Sequence, residues 1–266
     1  MKAEEKIILY FSLKYNGTFK KIYEALSKKE QVNEERYKEY ISKINCQYTT
    51  IFSENYPESL KRTKNPPFVL FYYGDINLLE KKMISIAGIK NPTMYGERTT
   101  KYFVEELVKE DYVIVSGMYS GIDSIAIEET IKNNGHSIVI LGTGINKPCS
   151  LEYQHIYEKL KENHLLISES PYYFTGHEEH DFASNRIVTG LSPSLLVTET
   201  TLKSESMIAV MYALEQEKEI ICVPSKSENR GCDNLISNGA KSCTSISDIF
   251  DIENKRMSIE EDYEIE

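Results

Sequence analysis

The chain has 266 residues, 41% of them hydrophobic and 27% charged, the composition of a soluble globular protein with room for one large domain and a smaller one. A net charge of −10 argues against indiscriminate binding to polyanions, so any nucleic acid must be held at a local site. No apolar run approaches the ~20 residues that a membrane span needs, and the opening MKAEEKIILYFSLKYNG has no small-residue cleavage site, so neither a membrane anchor nor a secretory signal is expected.

Residues 1–50 are rich in Lys, Glu and Tyr with helical spacing, as in Ile7, Ile8 and Phe11, then Phe19, Ile22, Tyr23 and Leu26. They predict a small helical module, assigned to 1–55, with a hinge near the prolines Pro66 and Pro67. Residues 1–64 carry thirteen Lys/Arg against nine Asp/Glu, whereas the rest of the chain is strongly acidic. From residue 68 short β-rich runs alternate with amphipathic helical segments. The runs are VLFYY (69–73), MISIAG (83–88), YVIVSG (112–117), SIVILG (137–142), LLIS (165–168), LLVTE (195–199) and EIICVP (219–224). Near-continuous apolar strands alternating with helices predict an α/β, extended Rossmann-like fold over 56–250, with a mostly parallel, doubly wound sheet. The last ten residues, MSIEEDYEIE, contain five acids, and 251–266 reads as an acidic, disordered tail.

In such sheets ligands bind beyond the carboxyl ends of the strands. The junctions there are AGIKNPTMYG, SGMYSGID, LGTGINKP, TETTLKSES and VPSKSENRG. Glycine and hydroxyl residues, with Lys90 and Lys147 just after two of the turns, suit an anion site built from turn N–H groups and helix N-termini. None of the junctions is a dinucleotide fingerprint or a Walker-type loop, and taken singly each glycine motif reads as a tight strand-to-helix connection.

Catalytic constellations are poor. There is no G-x-S-x-G elbow and no H-E-x-x-H. His177 and His180 sit three apart in a polar loop without a third soft ligand nearby, so no metal is expected. The five cysteines are odd in number and form no C-x-x-C pair, which favours reduced thiols in a cytoplasm. Cys222, in an apolar strand, reads as a buried small hydrophobe, while Cys149 and Cys232 fall in loops. In DFASNRIVTGLSPSLLVTET, Arg186 stands either as a structural arginine or as a fork aimed at phosphate.

Seven segments in order then carry a resemblance. They are YPESLKRTKNPPFVLFYYGD, IAGIKNPTMYG, VSGMYSGID, VILGTGIN, SNRIVTGLS, KSESMIA and VPS…RGCDNLISNGAK. Together, from Tyr56 to Phe250, they closely resemble the DNA-processing protein A family (DprA, also called Smf). That resemblance implies a Rossmann-like protein that binds single-stranded DNA without catalysis or cofactor, forms a homodimer in the cytoplasm, and hands DNA to the RecA recombinase in natural transformation or related recombination. It implies DNA contacts at Lys90, Ser116, Gly117, Gly121, Gly142, Gly144, Lys147, Asn185 and Arg186. Tyr119 and Tyr95 are candidate stacking surfaces, and Asp123 reads as the N-cap of its helix.

Several positions depart from the family's pattern, all toward less positive charge. The usual G-S-R is Gly88-Ile89-Lys90 and R-N-R is Ser184-Asn185-Arg186. S-G-S is Ser204-Glu205-Ser206, which puts a carboxylate at the pocket rim, and Y-P-x-x-N is Cys149-Ser150-Leu151-Glu152-Tyr153. A weaker or differently tuned DNA binder is therefore expected. The N-terminal module resembles a degenerate helix–hairpin–helix, and the winged helix frequent in the family is not expected after SISDIFDIE. A nucleotide-binding sensor or phosphoribohydrolase-like enzyme on the same Rossmann variant is the alternative, though its P-G-G-x-G-T-x-x-E signature is absent. A paralogue that has lost DNA binding and serves as a scaffold is a third reading.

Overall fold

The computed structural model describes residues 2–147, 153–172 and 178–264, the side chains of 178–181 and 256–264 excepted. Three helices open the chain, α1 (Ala3–Lys14), α2 (Phe19–Ser27) and α3 (Glu34–Ser42), the last capped by Asn33 Oδ1, which accepts from Arg36 N–H. Then come β1 (Gln47–Thr50), the single turn α4 (Glu58–Lys61), β2 (Val69–Gly74) and β3 (Met83–Ala87). Alternation follows with α5 (Met94–Lys109), β4 (Val113–Gly117), α6 (Ile122–Lys132), β5 (Ser137–Leu141), α7 (Gln154–Asn163) and β6 (Leu165–Ser168). The chain continues through α8 (Glu178–Leu191), β7 (Ser194–Val197), α9 (Ser206–Glu215) and β8 (Glu219–Cys222). It closes with α10 (Gly231–Ser237), β9 (Lys241–Ser242) and α11 (Ile246–Glu264).

The nine strands form one sheet in the order β1-β2-β6-β5-β4-β3-β7-β8-β9. From β6 to β9 every pairing is parallel, while β2 runs antiparallel to both β6 and β1. The expected mostly parallel, Rossmann-like sheet is present. Its central strands are buried on both faces, and period-2 alternation divides them between two helix layers. In β5, Val139 and Leu141 pack with α1, α6 and α7, whereas Ile138 and Ile140 pack with α8. Toward the other edge, Leu196 and Ile221 meet the α5 layer, and Leu195, Val197 and Cys222 meet α9 and α10.

Two expectations need correction. The boundary at residue 55 falls after a sheet strand, because β1 pairs with β2 from Gln47↔Tyr72 to Thr50↔Val69. In addition, Ile8, Leu9 and Leu13 of α1 share a core with Phe71, Val139 and Leu166 of the sheet. Hydrophobic burial thus joins the N-terminal helices to the sheet. The segment 251–266, expected to be a disordered tail, is helical as far as Glu264. Its anchor is at the start of α11, where Ile249 is buried and Phe250 stacks on Tyr112. There the Tyr112 hydroxyl donates to Glu253, which also accepts from Ser194 Oγ at 3.2 Å.

A buried ion pair fixes α8. Arg186 donates through both terminal nitrogens to Glu169, at 2.6 and 2.5 Å, through Nη1 also to the Ala183 carbonyl and through Nε to the Asn65 carbonyl. The arginine side chain is 6% exposed and its partner 16%. Removing one member of such a pair leaves an uncompensated charge, whereas replacing both by apolar groups is close to neutral. Arg186→Ala is expected to destabilise the fold by about 3–5 kcal/mol. Arg186→Met combined with Glu169→Leu should recover most of that loss, both being read by urea denaturation.

Candidate nucleic-acid interface

From β3 the chain builds outward to β4, β5 and β6 on one side, while β7, β8 and β9 build the other. The loops leaving β3 and β7 therefore part, and a crevice opens between them, the ligand position of doubly wound sheets. The crevice is a cleft of about 430 Å3, within the usual range for ligand sites. The loop after β3 supplies Gly88, Ile89 and Lys90, and that after β4 supplies Tyr119, Ser120 and Asp123. Helix α8 adds Phe182 and Asn185, and the loop into α9 adds Thr201, Lys203, Ser204, Glu205 and Ser206.

Backbone contacts fix these loops. Gly121 has φ of +89°, and a Cβ there would lie 2.3 Å from the Ile89 carbonyl oxygen, so the residue must be glycine. The same Ile89 carbonyl accepts from Ile122 N–H at 3.2 Å, tying the β3 loop to the start of α6. Glu199, 2% exposed, binds three loops together. Its carboxylate accepts from Thr93 N–H at 2.7 Å, Thr93 Oγ1 at 2.8 Å, Ser227 Oγ at 2.7 Å and Asn229 Nδ2 at 3.2 Å. Burial alone would raise its pKa, but donation from Ser227, Thr93 and Asn229 outweighs this and leaves it lowered. At the base of α9 the Thr200, Ser204 and Ser206 hydroxyls lie 2.6–2.7 Å apart. The Tyr119 hydroxyl meets Ser184 Oγ at 2.9 Å, which holds the ring at the cleft wall.

The structure brings Lys90 and Asn185 into the cleft but not the other expected contacts. Ser116 is fully buried and donates to the Ile86 carbonyl at 2.8 Å. Gly117 is covered by the Tyr119 ring, whose Cδ2 lies 2.6 Å from where a Cβ would stand. Gly121 turns the chain beside the cleft. Gly142, Gly144 and Lys147 belong to the loop after β5, one strand further along the edge, and do not line the cleft; Lys147 has its carbonyl bonded to Thr143 Oγ1. Arg186, one residue after Asn185, is held by Glu169 beneath the helix and is withdrawn from the phosphate-contact role expected of it.

Other readings also shift. Tyr95 is packed, its hydroxyl donating to the Pro224 carbonyl at 3.0 Å. Asp123 is not the N-cap, which is Gly121; it lies in the first turn of α6 and accepts from Gly88 and Gly117 N–H. Cys222 is buried as expected, but so is Cys232, within α10. Cys149, most of the segment 149–153 and His177 lie outside the described residues, among which no group of side chains is arranged to hold a metal. Among the described residues no helix is long and apolar enough to cross a membrane. Reading the residues singly left out Lys203 and the Thr200–Ser204–Ser206 hydroxyls, although their junction, TETTLKSES, was legible.

Comparison with known proteins bears on this arrangement. The family model for DNA recombination-mediator protein A matches residues 47–254, starting at β1. The DNA processing protein DprA of Bacillus subtilis is 36% identical over 205 residues, covering 76% of this chain and 69% of that protein. Four such relatives are covered over 51–72% of their length. The crystal structure of DNA processing protein A from Streptococcus pneumoniae aligns with a TM-score of 0.74 at 25% identity, covering 92% of each chain. The structure of DNA processing protein A from Helicobacter pylori, described for its single-stranded DNA binding mode, aligns with a TM-score of 0.71 at 27% identity, covering 80% of this chain and 98% of that one.

Asp123 makes the cleft floor responsive to pH. Burial pushes its carboxyl up to about 7, against the opposing donation from Gly88 and Gly117. An unfolded aspartate titrates near ~4, so between there and about 7 the native chain holds a proton that the unfolded chain has released. The resulting stability is fully present below the unfolded value and is lost as pH rises through the folded one. Raising the pH from ~4 to ~7 is expected to lower the melting temperature of the wild type relative to Asp123→Asn, with parallel curves above that window. A difference independent of pH would refute the assignment.

Proposed function

Since the chain belongs to the DNA recombination-mediator protein A family, we propose that its cleft binds a single strand of DNA and that the protein acts by binding, not catalysis, in DNA processing. The observation that carries this reading is the lining of the cleft. Two aromatic residues, Tyr119 and Phe182, share it with two lysines, Lys90 and Lys203, and with hydroxyls at the N-terminus of α9. Cations, hydroxyls and a helix N-terminus suit a phosphodiester. An aromatic wall suits a base with a free face, which a single strand offers and a duplex does not. The single-stranded DNA binding mode described for the Helicobacter pylori protein supports the same reading.

Lys147, on the next loop of the same edge, is the contact we assign to a neighbouring phosphate, with Gly142 and Gly144 shaping that loop. Delivery of the strand to RecA, the homodimer and a cytoplasmic location follow from the family resemblance. Exposed Met211 and Leu214 on α9 offer an apolar face for a second copy. The nucleotide-directed alternative lacks its P-G-G-x-G-T-x-x-E signature, and Glu199, the carboxylate of the corresponding junction, is committed to Thr93, Ser227 and Asn229.

In anisotropy titrations at low salt the protein is expected to bind short oligothymidylates. Tyr119→Ala should cost about 1–3 kcal/mol through lost stacking. Lys203→Ala should weaken binding and lower the slope of log K against log salt by about 0.7, the effect of one phosphate contact on single strands. Failure of the wild type to bind at any salt concentration, or release of free base from nucleoside monophosphates, would overturn the proposal.

A further inference from the structure

We propose that Glu205 is a resident anion in the cleft, which competes with a ligand phosphate for Lys90 and so sets the affinity of the site. This inference rests on the single-stranded DNA reading given above and deepens it.

Glu205 stands at the N-cap of α9, a ten-residue helix. An N-cap carboxylate ordinarily accepts from the first free N–H groups of its own helix. This one makes no such bond. It instead reaches across the mouth of the cleft to Lys90 Nζ, at 2.6 Å. The pair joins the loops after β3 and β7, the two that part to form the crevice. Among the described residues most exposed ion pairs are local in sequence, from i to i+3 or i+4. The Lys90–Glu205 pair is not, and both of its members line the cleft.

The Glu205 carboxylate is held by the ammonium of Lys90 at the mouth of the cleft, while its backbone starts α9 and the flanking Ser204 and Ser206 hydroxyls bond to Thr200 and to each other. The same ammonium would attract a phosphodiester. The carboxylate therefore stands in for the ligand. The exchange is open, because the two side chains are 49% and 57% exposed and a pair so hydrated is held weakly. When a phosphate enters, Glu205 must swing outward and give up Lys90. Lys203, on the same loop, makes no ion pair among the described residues and is available to the ligand throughout.

The inference has a signature in salt dependence. Binding that breaks an internal ion pair returns an ion to the freed carboxylate, so fewer ions are released overall and the slope of log K against log salt is flattened. With the carboxylate replaced by a neutral amide of the same shape, the affinity should rise and the slope should steepen.

The test titrates a labelled oligothymidylate with the wild type, Glu205→Gln, Lys90→Gln and the double variant over a range of salt. Circular dichroism melts serve as a control, and both exposed positions should leave them unchanged. Glu205→Gln is expected to bind roughly three- to tenfold more tightly, with a slope steeper by about 0.7. In the Lys90→Gln background that gain should largely disappear, because the cation under competition is gone. Equal or weaker binding by Glu205→Gln beside a binding wild type overturns this inference and leaves the DNA reading standing, as does an undiminished gain without Lys90. Absence of binding by both the wild type and Glu205→Gln overturns both.

Discussion

Strand β3 lies between β4 and β7, and the helices that follow those strands cover opposite faces of the sheet. A chain that winds both ways from one strand cannot close the gap above it, so the crevice is a consequence of connectivity before any side chain is chosen. What the side chains do is fix its width. Glu199 receives donors from the loops after β3 and β8 while itself following β7, so a single buried carboxylate sets three loops relative to one another.

The charge of the cleft is then a balance on a small scale within a protein of net charge −10. Lys90 and Lys203 face Glu205 at the rim and Asp123 at the floor. Burial pushes the floor carboxyl up to about 7, and the rim carboxylate is engaged by a lysine. Under the proposed function, a strand approaching this edge would meet two lysines set against two carboxylates, in a chain of net charge −10. Recognition there would depend on stacking, hydroxyl donors and turn geometry to a greater degree than on long-range attraction.

How much of this was legible follows from what each pattern encodes. The strands from 69 to 222 declare themselves because burial on both faces demands continuous apolar runs, and that demand is local in sequence. β1 did not, since Gln47-Tyr48-Thr49-Thr50 is polar, follows a lysine-rich helical stretch and becomes a strand by pairing with β2. Arg186 shows the limit for single residues. Its chemistry was visible, but its direction depends on the phase of α8, which turns Asn185 to the cleft and its neighbour to Glu169. Glu199 was visible as a residue in a junction and invisible as a hub, because its donors at Thr93, Ser227 and Asn229 come from distant segments. Glu205 stood out as a carboxylate at the rim, whereas its lysine partner is a fact of three dimensions.

The antiparallel strand β2 carries a consequence for how the chain is made. Its residues Phe71–Gly74 pair with Leu165–Ser168, and the helices before it share their core with Val139 and Leu166. This segment is synthesised before β6, and the native cover of Ile8, Leu9 and Phe71 includes Leu166 of that strand. Such long-range closure slows folding and prolongs the exposure of apolar surface. The N-terminal helices and the sheet edge that they complete thus depend on residues far along the chain.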